Sequence, residues 1–251
     1  MPRFKYNDID VMRDKHDTRD HVFTAFMGEL NPPKVDLRTS GKVRPHYDQG
    51  RLGSCTANAV LGAEWFVMSS KGKVPLEGSR LAQYYWSRSE VNKTKDSGAS
   101  LRDAFSTLTK NGVAPETTWA YNIRNFAKEP PLKAFISAIS HRTREYQRLQ
   151  GIQDIESALA ANHPVVIGVP IYASFESRDT LKTGVVPIPK TGERFLGGHA
   201  MLVVGYDQEK QVLIIRNSWG TRVGDGGDFY LPYAYLERFK RVSDAWTLIS
   251  I

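Results

Sequence analysis

The chain has 251 residues, with 34 Lys+Arg against 27 Asp+Glu and a formal net charge of +7. Hydrophobic residues make up 41% and charged residues 24%, ordinary proportions for a globular chain with a real core, which excludes a disordered tail, a collagen-like repeat and a disulfide-scaffold peptide. The basic residues are scattered, with small clusters only at Arg142/Arg144/Arg148 and Arg238/Lys240/Arg241, so the charge reads as a solvated surface and no nucleic acid is expected as partner.

The opening MPRFKYNDID has no apolar h-region, so no secretory signal is expected. Location stays open between the cytoplasm and export by a signal-independent route. Residues 1–31 carry five basic and six acidic side chains, a net of −1, which leaves +8 on the other 220 residues. Phe23, Phe26, Met27 and Leu30 fall at i, i+3, i+4 and i+7, a short amphipathic stripe. Asn31-Pro32-Pro33 then stops any helix. One stripe cannot fold alone, so this segment is expected to dock on the rest of the chain.

From Ser54 to about Ser70 the pattern is helical, with Leu61, Trp65 and Met68 on one stripe, Val60 and Val67 beside it, and Ser54 as N-cap. Arg80–Val91 and Leu101–Asn111 also read as helices, the second ended by Gly112 at C′. Pro130-Pro131 and a polar stretch mark a crossing. A helix from about Asp154 to Ala161 follows, and then strand-like runs at Val165–Val169, His199–Tyr206, Val212–Arg216, Phe229–Leu231 and Trp246–Ile249. Helices first and strands later argue for an α lobe followed by a β lobe. The longest apolar runs, from Pro164 and Ala200, fall well short of the roughly 18 residues of a membrane span, so no membrane is expected.

Cys55 is the one cysteine, so no intramolecular disulfide can form. A lone cysteine is either an inert core hydrophobe or a reactive thiol. Its place in the first turn of a helix favours the second, because the partial positive charge there stabilises a thiolate. Six histidines compete as its base. His199 stands out because Gly197-Gly198 lets the backbone bend before it and a strand follows, although GGH also suits an ordinary loop-to-strand junction. The polar turn 207–211 folds His199–Tyr206 back on Val212–Arg216. Pairs summing to 416 place Asn217 opposite His199, since 199 + 217 = 416; pairs summing to 418 place it opposite Met201. In either register an asparagine oxygen there can hold one imidazole tautomer, whereas Asn-Ser-Trp-Gly alone is equally a turn.

QGRLGSC (Gln49–Cys55) resembles the active-site stretch of papain-like cysteine peptidases, GGHAMLVVGYD resembles their histidine strand, and IRNSWGT their asparagine segment. The separations, 199 − 55 = 144 and 217 − 55 = 162, stand near the 130–150 residues typical of that family, the second slightly long. VDLR at Val35–Arg38 resembles the start of the family's mature domain, and GASLRDAFSTLTKNGV its substrate-lobe helix. The resemblance runs from about Pro33 to the C-terminus. Three departures are visible. Thr56 replaces the usual aromatic residue, Leu52 replaces a cysteine, and 1–31 stands in place of a long propeptide.

The resemblance implies an α+β, two-lobe papain-like fold. Residues 1–31 would be an extension and 32–251 the peptidase domain, with a helical lobe at about 45–125 and an antiparallel β-barrel-like lobe at about 130–251, the cleft lying between them. It implies a thiol protease that cleaves peptide or protein substrates without cofactor or metal. Cys55 would be nucleophile, His199 base and Asn217 its orienter, with Gln49 donating to the oxyanion and Trp219 shielding the His199–Asn217 bond. Gly98 and Ala99 would offer backbone hydrogen bonds to substrate, and Gly198 would line the cleft. Residues 1–31 would act either as a zymogen-like arm over the cleft or as a plain cover of exposed core. Two other functions fit the same motifs: a thiol acyltransferase or amidase, and a non-catalytic peptide-binding module.

Overall fold

The computed structural model describes residues 3–7, 17–18, 20–24, 31–238 and 244–250. A short strand β1 (Lys34–Asp36) precedes four helices, α1 (Cys55–Ser70), α2 (Arg80–Ser87), α3 (Leu101–Lys110) and α4 (Leu132–Ala138). The rest of the chain supplies β2 (Glu145–Arg148), α5 (Ile152–Ala160), β3 (Val165–Tyr172), α6 (Arg178–Thr183), β4 (Phe195–Asp207), β5 (Val212–Arg216), β6 (Asp228–Pro232), α7 (Tyr233–Arg238) and β7 (Ala245–Ser250). All five expected strands are present. The helix expected over 80–91 ends at Ser87 and gives way to a 3₁₀ turn at Glu90–Asn92. Five elements escaped the sequence reading: β1, α4, β2, α6 and α7. The stretch read as a crossing contains α4, with Pro131 at its N-cap, where a missing N–H costs nothing.

The sheet runs β2-β7-β3-β4-β5-β6, with β1 added to β4, and every strand pair is antiparallel. β4 is its axis. Its first half pairs with β3, and its second half holds β5 and β1. At Gly205 the backbone of β1 comes so close that a Cβ would stand 2.3 Å from the Val35 carbonyl oxygen. Only glycine fits there.

Helix α1 lies against β4, with Gly62 facing Leu202. Ten successive residues, Cys55 to Glu64, are buried, together with Phe66 and Val67, whereas Trp65 and Met68 of the expected stripe are only half-buried. A helix packed on every side has no single apolar face to read. Val60, Leu61 and Phe66 of α1, Leu101, Phe105 and Leu108 of α3 and the inward residues of β3, β4, β5 and β7 form one continuous core. Among the described residues no helix is long and apolar enough to cross a membrane.

The N-terminal extension attaches at two places. Residues 21–23 join the outer edge of β2: the Phe23 N–H donates to Arg148 O (2.7 Å) and the Arg148 N–H to His21 O (2.8 Å). Asp20 there binds both Arg102 of α3 (2.6 Å) and Arg148 (2.7 Å). Of the amphipathic stripe, Phe23 packs on the core, and Phe26, Met27 and Leu30 lie outside the described residues. The second attachment, residues 3–7, falls in the cleft.

Candidate active site

Cys55 opens α1, as expected, but Ser54 does not cap the helix with its side chain. The Ser54 hydroxyl is taken by Tyr121 Oη (2.6 Å) and Asn58 Nδ2 (3.1 Å) instead. β4 brings His199 to the same place: the thiol sulfur lies 3.4 Å from the N–H of Ala200, the next residue on that strand.

The β4–β5 hairpin settles the register. Leu202 faces Arg216 and Val203 faces Ile215, pairs summing to 418, so the alternative summing to 416 is not the one formed. A bulge at Val203/Gly205 shifts the rest of the ladder by one. Asn217, just beyond the last pair, still reaches back to His199, with Nε2 to Oδ1 at 2.8 Å. Oδ1 also accepts the Ser218 N–H at 2.7 Å, which fixes the amide's orientation because a backbone N–H needs an acceptor. His199 therefore carries its proton on Nε2 and leaves Nδ1 as a bare acceptor, buried with no partner. That is the tautomer a base needs. Trp219 stacks on the ring at 5.0 Å and 24°.

Gln49 is fully buried. Its Oε1 accepts from Ser218 Oγ (2.6 Å), and Nε2 spends one N–H on Leu52 O (2.9 Å) and keeps the other. The two loops are laced together, with the Gln49 N–H on Ser218 O and the Gly220 N–H on Tyr47 O, each at 2.9 Å.

Residues 3–7 fill the space beside this cluster. Asn7 and Gly198 exchange both backbone hydrogen bonds, at 2.9 and 2.8 Å, and Asn7 Nδ2 donates to the Cys55 sulfur at 3.1 Å. Phe4 lies flat on Trp219 at 3.9 Å and 2°, and the Tyr6 ring meets His199 edge-on at 5.8 Å. Glu176 gathers the Arg3 N–H (2.8 Å), the Phe4 N–H (3.0 Å) and the Tyr6 hydroxyl (2.8 Å). Lys5 reaches Asp96 at 3.4 Å. Asn7 packs so tightly on Gly98 that a Cβ there would stand 2.4 Å from its side chain.

With the cleft covered, burial governs both Cys55 and His199. It pushes the Cys55 thiol up to about 12, against the pull of the Ala200, Thr56 and Cys55 N–H groups. It pulls His199 down to about 4, only partly opposed by Asn217. Sulfur and ring are therefore both neutral under residues 3–7.

Of the residues singled out in the sequence, Cys55, His199, Asn217, Gln49, Trp219, Gly198 and Gly98 converge here. Ala99 is buried and has no hydrogen bond to residues 3–7. Sequence reasoning missed Asn7, Phe4, Tyr6, Glu176 and Asp96, none of which sits in a motif. Among the described residues no group of acidic, histidine or cysteine side chains is arranged to hold a metal.

The family profile described as papain family cysteine protease matches residues 31–239. The chain belongs to that family. It is a papain-like cysteine peptidase, and its substrates are peptides or proteins. It is similar to an uncharacterized peptidase C1-like protein of Acanthamoeba polyphaga mimivirus, 36% identical over 96% of this chain and 82% of that protein. It is also similar to the crystal structure of xylellain, a cysteine protease from Xylella fastidiosa, with 34% identity, a TM-score of 0.89, and coverage of 100% of this chain and 99% of that one. Pro-cathepsin H of Bos taurus is 29% identical over 80% of this chain and 59% of its own length.

Proposed function

We propose that this cysteine endopeptidase cuts peptide bonds with Cys55 as nucleophile and His199 as base and acid, and that residues 3–7 hold it latent. The observation that carries the reading is the buried His199–Asn217 bond at 2.8 Å, which leaves Nδ1 bare on the strand residue next to the thiol's contact at Ala200. When the cleft opens, water returns and burial no longer favours the neutral pair. The proton passes from sulfur to Nδ1, and the thiolate is held by N–H groups at the start of α1. Sulfur then adds to the substrate carbonyl. Its oxygen takes the negative charge between the Cys55 N–H and the free N–H of Gln49. His199 returns the proton to the leaving amine, and water hydrolyses the thioester.

Latency belongs to residues 3–7 alone. Residues 20–24 complete the edge of the sheet and stay with the mature enzyme, so the extension is two parts with two roles. Occupation of the sulfur's surroundings by Asn7, and of Trp219 by Phe4, favours this over a plain cover of core.

Two variants test the reading. A chain starting at Asp8 should hydrolyse peptides faster than the full chain, and a folded but no faster one refutes the latency. In that background Gln49→Ala should lower kcat by about 10²–10³, the usual effect of losing one oxyanion donor. Undiminished turnover would remove Gln49 from the mechanism. Cleavage of esters and amides but not of peptides would favour the amidase reading.

A further inference from the structure

The two oxyanion donors proposed above sit at opposite ends of one loop, Gln49 at its start and Cys55 at its end. Stabilising an oxyanion needs both at a fixed separation. The loop has no regular structure of its own to fix it. It is held from outside: Ser218 Oγ donates to Gln49 Oε1 at 2.6 Å and Asp96 Oδ1 accepts the Gly53 N–H at 2.9 Å. Arg80 Nη1 donates to Asp48 O at 3.0 Å. Asn58 Nδ2 donates to Ser54 O at 2.8 Å, the carbonyl of the same peptide unit that carries the Cys55 N–H. Tyr121 touches both ends: its hydroxyl lies 2.9 Å from Gln49 O and 2.6 Å from Ser54 Oγ.

The proton count gives this contact a direction. Gln49 O can only accept, so the Tyr121 proton goes to it. Ser54 Oγ must then donate to Tyr121, and its own lone pair receives Asn58 Nδ2–H at 3.1 Å. The chain Asn58 → Ser54 → Tyr121 → Gln49 has every donor and acceptor matched, and bonds in such a series strengthen one another. The Arg80 guanidinium covers the tyrosine ring at 3.8 Å and fixes its position.

We infer that Tyr121 is a positioning residue for the oxyanion site: its hydroxyl ties the Gln49 end of the loop to the Cys55 end. The inference rests on the Gln49 and Cys55 assignments of the proposed function.

The test uses Tyr121→Phe in the full chain, which keeps the ring under Arg80 and removes only the hydroxyl. Two probes are compared. Acetyl-dipeptide aldehydes add the thiol to their carbonyl and place an oxyanion in the site, whereas iodoacetamide alkylates the sulfur without forming one. Both probes wait for residues 3–7 to leave, so the ratio of their effects is independent of that opening. Tyr121→Phe should weaken aldehyde binding about tenfold, a fraction of the 10²–10³ expected for a lost donor, with the alkylation rate within twofold of wild type. On a Gln49→Ala background the same substitution should weaken the aldehyde less than twofold, because the group it positions is gone. Equal losses with both probes, or undiminished aldehyde binding beside a weakened Gln49→Ala, would overturn the positioning role. Full aldehyde affinity in Gln49→Ala itself would remove the oxyanion reading, and the role of Tyr121 with it.

Discussion

Phe4→Ala is the substitution that most directly separates a latent enzyme from an accidental cover. The Phe4 ring lies 3.9 Å above Trp219, parallel to within 2°, and packs on the main core as a half-buried side chain. Truncating a fully buried phenylalanine costs about 3–5 kcal/mol. Half that burial gives about 2 kcal/mol, and the aromatic contact itself lies within this figure. In the proposed latency all of it acts on the balance between covered and open cleft, because Phe4 leaves with residues 3–7. At 1.4 kcal/mol per factor of ten, the open fraction should rise about 30-fold.

Cys55 is the only thiol, so its alkylation by iodoacetamide, followed by intact mass at neutral pH, counts open clefts directly. When opening is fast and rare, the labelling rate is proportional to the open fraction. Phe4→Ala should therefore label about 30 times faster than wild type, with an unchanged melting temperature for the body. A rate equal to wild type would mean that the stack on Trp219 does not hold residues 3–7 in place. The latency argument would then have to rest on Glu176 and Asn7 alone. A rate that rises together with a large fall in melting temperature would equally refute it, since the ring would then be part of the body's own core.

The ionisation of the covered pair predicts the pH range of latency. When covered, His199 is pulled down to about 4 and the Cys55 thiol pushed up to about 12, so the covered pair holds one proton, on sulfur. The open thiolate–imidazolium pair also holds one proton, so opening is favoured only where the open site gains a proton, towards acid, or loses one, towards alkali. The labelling rate of the full chain relative to a chain starting at Asp8 should be lowest at intermediate pH and rise on both sides, and a ratio flat across pH would contradict this. Gly205→Ala should lower the melting temperature by roughly 2–12 °C, from about 1–3 kcal/mol of overpacking against Val35 O at 2–4 °C per kcal/mol; calorimetry showing no shift would mean β1 yields freely.

The parts of the fold that were legible in the sequence are those with a local cause. Strands β3, β4, β5, β6 and β7 have apolar runs and turn residues around them, and α3 has Gly112 where a left-handed residue ends it, at φ +88°. β2 reads EYQR and has no such signal; it is a strand because β7 on one side and residues 21–23 on the other supply its hydrogen bonds. The same distinction runs through the site. Cys55, His199 and Asn217 were legible because a local pattern surrounds each: a helix start, a glycine pair, a hairpin. The bulge at Val203/Gly205 was invisible, since pairing by a constant sum assumes an unbroken ladder. Glu176, Asp96 and Asn7 act through contacts that no spacing encodes.

Ser54 shows how the two kinds of information conflict. Beside the first turn of α1 its local preference is to cap the helix, which contributes about 1 kcal/mol. The structure gives its hydroxyl to Tyr121 instead, 67 residues away in sequence. Its oxygen accepts from the Asn58 side chain of the same helix and not from a backbone N–H of the first turn. A local preference is given up where the fold gains something from doing so, and here the gain is a loop tied at both ends under the nucleophile. Sequence rules for caps are therefore least dependable at the start of a helix that carries a reacting group, and a residue that breaks one there is a lead to the neighbours that position it.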